Sequence, residues 1–360
     1  MDRSGGERQR RGRGLAWRVA VAWAAGLVLA PGVQAHAISE QLSLHGYGNF
    51  TAVHSGVQSS GQGGGEQNSH HDLSLLGTWR FTDRDRVWLQ LATNSELARP
   101  RVDWLMYDRL LDARTALHLG QVRLPFGLDN MLRDIESLRR TASRPFLYDE
   151  DLGLADEAVR GVVLERETQI AGQGASLKVF AGNALVPDAD RPLPGPVLGG
   201  HLQVETPLPG LRLAVSGYHA RVPPEPDEPR SGKHAWALSA QWQPASWTWQ
   251  AEWARGRIED HALQTFYLSA SHPLGERVDA ALRIERVQTD RRQPRQDGND
   301  QRRLVLGLAW AVTPVIGVRL EWQRHRGHAL PLLAAQEAGG DGSGLRSRWS
   351  STVLSVNAMF

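Results

Sequence analysis

The sequence predicts an all-β chain that crosses a membrane as a closed antiparallel β-barrel of about sixteen strands. Three observations carry this. Segments of about ten residues alternate between apolar and polar side chains, the pattern of strands with lipid on one face and water on the other. The connections between them are alternately tight and long. After Ala30 no apolar run approaches the roughly 20 residues of a spanning helix, so a membrane crossing has to be made by strands.

Taken in order, the first element is a leader. Arg3, Arg8, Arg10, Arg11, Arg13 and Arg18 precede an apolar run over residues 19–30, and Val33-Gln34-Ala35 offers a small-residue cleavage site. This reads as a secretory signal peptide over residues 1–35, with Ala35-His36-Ala37 giving an alternative cut after Ala37, and residues 36–360 as the barrel domain. The precursor holds 41 Lys plus Arg against 39 Asp plus Glu, but the leader contains six Arg and two acids, leaving 35 against 37. The apparent basicity belongs to the leader. A nucleic-acid partner, which needs a basic face, thereby loses its main support. The absence of cysteine excludes disulfides and thiolate metal sites.

Period-two alternation bounded by turn residues places strands near 40–55, 71–81, 84–96, 101–110, 114–123, 158–168, 173–183, 197–207, 210–220, 233–243, 245–256, 261–272, 276–289, 301–313, 315–326 and 347–360. The second has Leu73, Leu75, Gly77, Trp79 and Phe81 on one parity. The tenth has Trp236, Leu238, Ala240 and Trp242, and the eleventh Trp247, Trp249, Ala251 and Trp253. The fourteenth has Leu304, Leu306, Leu308, Trp310 and Val312. The fourth and sixth alternate poorly. In the last, Thr352, Leu354, Val356, Ala358 and Phe360 share one face.

Thr82-Asp83, Pro244-Ala245, Pro273-Leu274-Gly275 and Thr313-Pro314 are tight turns, whereas residues 56–70, 124–157, 184–196, 221–232, 290–300 and 327–346 are long and rich in Gly, Pro and charge. Short periplasmic turns opposite long external loops are the layout of outer-membrane barrels. An even strand count puts both ends on the short-turn side. Trp79, Trp88, Trp104, Trp236, Trp242, Trp247, Trp253, Trp310, Trp322 and Trp349 sit mostly near strand ends, where amphipathic rings favour the headgroup region.

The longest connection is the third on the long side. It carries Asp129, Arg133, Asp134, Glu136, Arg139, Arg140 and Arg144, a mixed-sign set with arginine prominent. Folded inward, such charges set ion selectivity at a constriction. By parity, Arg80, Lys178, Arg212, Arg283, Arg303 and Arg319 face the lumen, and so do Glu205, Glu252, Asp279, Glu285 and Glu321.

Leu119-Gly120-Gln121-Val122-Arg123-Leu124-Pro125-Phe126-Gly127-Leu128, then Arg133-Asp134 and Ser143-Arg144-Pro145-Phe146-Leu147-Tyr148, resembles the strand-into-loop segment of the phosphate-selective porin O and P group and related porin-like proteins. His45-Gly46-Tyr47-Gly48-Asn49-Phe50 is similar to a porin first strand, and terminal Phe360 resembles the signal read by the barrel assembly machinery, with Ala358 where Tyr is frequent. The resemblance implies a passive trimeric channel in the outer membrane of a Gram-negative bacterium, without a cofactor. It does not carry phosphate selectivity across. Those porins use a lysine-rich constriction, and this chain has only Lys178 and Lys233.

The expectation is therefore a porin passing small hydrophilic solutes or ions with weak or no anion preference, its partners being the lipid bilayer, the assembly machinery and the solute. The rivals are a plugged barrel acting as enzyme or adhesin, and a secreted soluble all-β binding protein. No GxSxG, HExxH or P-loop motif supports an enzyme. His70-His71 and the histidines of residues 324–328 read as loop-end polar residues rather than metal ligands.

Overall fold

The computed structural model describes residues 36–37, 39–56, 66–95, 100–128, 130, 139–149, 152–155, 158–185, 195–222, 231–258, 261–290, 298–332 and 345–359. Sixteen strands make the barrel: β1 (Leu42–Ser55), β2 (Glu66–Arg80), β3 (Asp85–Asn94), β4 (Arg101–Asp112), β5 (Thr115–Arg123), β6 (Ala158–Ile170), β7 (Gln173–Leu185) and β8 (Pro196–Glu205), then β9 (Leu211–Val222), β10 (Ser231–Trp242), β11 (Thr248–Ile258), β12 (His261–Pro273), β13 (Val278–Gln288), β14 (Asp300–Ala311), β15 (Ile316–Gly327) and β16 (Arg348–Met359). Each pairs antiparallel with its sequence neighbours. β16 closes on β1, from Ser351 opposite Ser55 to Met359 opposite Tyr47. His36–Ala37 adds a two-residue pairing to β1 at Leu44 and Ser43, on the edge that β16 leaves uncovered. Closure removes the open edges that no strand can leave in hydrocarbon.

Alternation explains the two faces. On β10, Ala235, Ala237, Ser239 and Gln241 are buried inward while Leu238 and Trp242 are exposed on the outside. On β14, Leu306, Leu308 and Trp310 are exposed while Gln301 and Val305 are buried. Similar outward rows run round the wall, from Leu73 and Leu75 to Leu213 and Val215 and to Leu282 and Ile284. An apolar belt this extensive is incompatible with a soluble monomer. The chain is a transmembrane barrel, and the soluble binding-protein reading falls.

Two irregular strands now have causes. In β4 the register slips between Gln90 and Leu91, which face Trp104 and Val102, so Asp103 is an extra bulged residue and the parity of the strand inverts there. In β6, Val159 and Val163 face inward and are buried, so both faces look apolar in places. β2 begins at Glu66 rather than 71. Its first residues, Glu66 to His70, pair with Ser55 to Thr51 but carry no apolar side chain that could signal a strand. Trp88, Trp104 and Trp349 depart from the aromatic-belt expectation. The Trp88 indole donates to Asp108 at 2.7 Å, Trp104 lies 5.2 Å from the Arg123 guanidinium, and Trp349 stacks on His325 at 3.4 Å, all on the inside.

Candidate functional site: the barrel interior and its third long connection

The connection from β5 to β6 turns into the barrel. Pro125 has no N–H with which to continue the ladder. Gly127 follows at φ +65, a left-handed conformation, and a Cβ there would sit 2.3 Å from the Tyr148 hydroxyl and 2.6 Å from Glu252 Oε2. The backbone then meets the inner wall: Gly127 N donates to Ser216 Oγ at 3.0 Å and Leu128 N to Glu252 Oε2 at 2.8 Å. Buried Asn130 donates to the Leu124 carbonyl at 2.8 Å, tying the turn to its own start.

Apolar packing holds the rest. Leu124, Phe126, Phe146, Leu147, Leu152 and Leu154 are nearly inaccessible and form one cluster with inward side chains of β6 to β13, among them Val159, Phe180, Tyr218, Leu263 and Val287. Phe126 meets Tyr218 edge to face at 5.4 Å, and the Tyr218 hydroxyl donates to the Leu154 carbonyl at 2.9 Å. Residues 146–148 form a single 3-10 turn after Pro145. A barrel interior is normally polar. Here the inner wall also carries apolar side chains, which pack against Leu124, Phe126, Phe146, Leu147, Leu152 and Leu154 of the connection.

Of the wall charges named from parity, Glu252, Asp279, Arg283, Glu285, Arg303, Arg319 and Glu321 meet this connection. Glu252 accepts from Leu128 N, the Tyr148 hydroxyl (2.6 Å), Ser239 Oγ (2.6 Å) and the Tyr267 hydroxyl (2.6 Å). Glu285 accepts from Phe146 N at 2.7 Å, Arg283 at 2.9 Å and Arg303 at 2.7 Å. Arg283 donates to Thr141 Oγ1 at 2.6 Å, to Ser143 Oγ at 2.7 Å and to the Arg144 carbonyl at 3.2 Å. Glu321 accepts from Ser143 N at 3.0 Å and from the Ser143 hydroxyl, and Arg319 donates to the Arg139 carbonyl at 3.0 Å. Arg303 lies 4.2 Å above the Phe146 ring. These carboxylates all accept hydrogen bonds, and Glu285 is also ion-paired with Arg283 and Arg303, as burial requires.

Of the connection's own charges, Arg140 pairs with Asp279 of β13 at 2.6 Å, and Arg139 and Arg144 are half-buried, offering their carbonyls to the wall. Asp129, Arg133, Asp134 and Glu136 lie outside the described residues, as do residues 1–35 and Phe360. Near the short turns, Arg80 ends β2 exposed and Arg212 donates to Gln241 at 2.8 Å.

The opposite wall was mostly missed. From β3 to β7, Arg86, Asp108, His118, Glu165 and Lys178 form a row in which basic side chains and carboxylates alternate: Arg86 to Asp108 is 3.0 Å, His118 to Asp108 2.6 Å, His118 to Glu165 3.3 Å and Lys178 to Glu165 3.1 Å. Parity named Lys178 alone: the bulge at Asp103 hides Asp108 in β4, and buried Val159 and Val163 blur the inward set of β6 that holds Glu165. His325 is also not a loop-end residue. It is buried inside, between Gln301 at 3.2 Å and Gln323 at 3.0 Å.

No family model and no curated protein matches the chain. Solved structures do. An anion-selective porin from Comamonas acidovorans aligns at TM-score 0.65 and 11% identity over 89% of this chain and 99% of that one. OprB of Pseudomonas putida aligns at 0.64 and 9% over 89% and 94%, and Salmonella typhi OmpF at 0.57 and 11% over 89% and 97%. OmpT of Vibrio cholerae in its trimer form aligns at 0.57 and 8% over 89% and 100%. With closure, the apolar belt and these likenesses together, the chain has the closed sixteen-stranded transmembrane barrel fold of outer-membrane porins.

Proposed function

We propose that this barrel is a passive channel for small hydrophilic solutes or ions, narrowed by residues 124–157, with weak or no anion preference. The observation that carries the reading is the seating of the third long connection inside the barrel, clamped by hydrogen bonds to β9–β15 and leaving the charged row that crosses β3–β7 as the lining of the lane. Interleaved Arg86, Asp108, His118, Glu165 and Lys178 make a field across that lane rather than an anion trap. On the same reading residues 1–35 export the chain, Phe360 is its assembly signal and a homotrimer is the assembled form.

The test is planar-bilayer recording on the purified, heat-modifiable barrel. Discrete, ohmic conductance steps are expected. A folded barrel that leaves the bilayer silent would make the lumen plugged and the reading wrong.

A further inference from the structure

The register of the last four strands gathers one residue type on the outer face. Arg286 of β13 lies opposite Arg302 of β14, Arg302 opposite Arg326 of β15, and Arg326 opposite Arg348 of β16. Arg324, of the same parity as Arg326, lies opposite Leu304 and Ser350. These positions continue the outward rows of Leu282 and Ile284, of Leu306 and Leu308, and of Leu320 and Trp322. With Phe266, Ile284 and Leu304 they border an open groove of about 690 Å³.

Like charges directly across a sheet destabilise it, so this row requires a counter-charge. Among the described residues one carboxylate faces it: Asp300, 2.5 Å from Arg286 Nε and 3.4 Å from Arg302 Nε. Arg324, Arg326 and Arg348 have no carboxylate partner among the described residues. The row is also placed at a definite height. Trp310 precedes the short turn, and Arg302 lies eight residues back along β14, toward the long connections. That is about 26 Å of strand at ~3.3 Å per residue, or about 20 Å of height at a tilt near 40°. The arginines therefore stand at the outer rim of the apolar belt, with stems long enough to carry their charge into the headgroups.

We propose that this row binds the phosphates of an anionic glycolipid in the outer leaflet of the outer membrane. Guanidinium forks match phosphate oxygens bidentately. Four adjacent strands at about 4.8 Å spacing spread the row over roughly 15 Å, which suits a headgroup bearing more than one phosphate. A contact between copies of this chain would bring like charge to like charge unless another surface supplied the acids.

The experiment reads lipid retained per chain by native mass spectrometry, after the full barrel is passed from nanodiscs into detergent. The nanodiscs hold either a bis-phosphorylated glycolipid or its dephosphorylated form. Wild-type protein should retain the phosphorylated form and lose the other. The variant with R302Q, R324Q, R326Q and R348Q should retain at least about fivefold less, the factor expected for even one basic residue at a charged surface. D300N, which removes the competing carboxylate and keeps the arginines, should retain more than wild type, so the idea stays testable if the fourfold variant fails to fold. Equal retention by a folded fourfold variant, or no gain from D300N, would overturn it. So would release of the lipid by millimolar inorganic phosphate, which would assign the row to soluble anions. A change of oligomeric state with lipid retention unchanged would assign it to a subunit contact and overturn it likewise.

Discussion

At the scale of single residues, Glu252 shows how a wall carboxylate becomes a loop anchor. Its two oxygens take hydrogen bonds from a backbone N–H, a serine and two tyrosines, and the residue is buried. Glu252→Ala removes the shared acceptor and leaves buried donors unpaired, each costing about 1–3 kcal/mol. The expected result is a lower temperature for loss of the heat-modifiable form, with new protease cleavage inside residues 124–157. Glu252→Gln keeps one oxygen but sets an NH2 against other donors, so an intermediate loss is expected. If the alanine variant matched wild type in both assays, the anchor would lie elsewhere. Gly127 makes a second, independent test. Gly127→Ala places a Cβ against Tyr148 and Glu252 in a left-handed backbone that itself costs an L-residue about 1–2 kcal/mol. Cleavage within the connection should therefore rise, while β5, ending at Arg123, stays folded. An unchanged digestion pattern would count against this account of the turn.

Elements obey a different rule, because parity assigns each strand residue to lipid or to the interior. On β14, Leu306→Arg sets a charge toward lipid, at a cost of about 2–4 kcal/mol near the midplane, and should lower the yield of inserted barrel. Gly307→Arg faces inward, but not into open water: a Cβ there would lie 3.5 Å from Thr141 Cγ2 and 3.9 Å from the Arg140 carbonyl. Insertion should survive, and the connection should be pushed off the wall, changing conductance. Equal insertion yields for the two variants would show that β14 is misregistered. Parity was legible wherever one face meets lipid and the other meets polar groups, as in β10 and β14. It blurred in β4, where one bulged residue inverts it, and in β6, where Val159 and Val163 meet the connection instead of water. Charges on the inner wall could be read as inward-facing. Their use as anchors could not, since Leu128 N and Phe146 N reach Glu252 and Glu285 from 124 and 139 residues away in sequence.

Across the whole molecule the interior is divided. One wall is covered by a connection that brings its own apolar core, and the other presents the alternating row from Arg86 to Lys178. This division makes the covered charges poor candidates for controlling ions, because their fields end on the groups they hold. Lys178 and Glu165, each with about a fifth of the side chain exposed, are better placed. Neutralising Arg86 and Lys178 to Gln should shift the reversal potential toward cations under a salt gradient. Neutralising Asp108 to Asn and Glu165 to Gln should shift it toward anions. Both shifts should fade as the screening length falls from about 10 Å at 0.1 M to about 3 Å at 1 M salt. Neutralising the buried pair Arg283 and Glu285 together should instead weaken the anchoring of residues 141–146, raising protease cleavage and channel noise with little change of selectivity. Should that buried pair govern the reversal potential while Lys178 and Glu165 leave it unmoved, the solute would be passing along β13 rather than β5–β7. The seated connection would then have to leave the wall when the channel conducts.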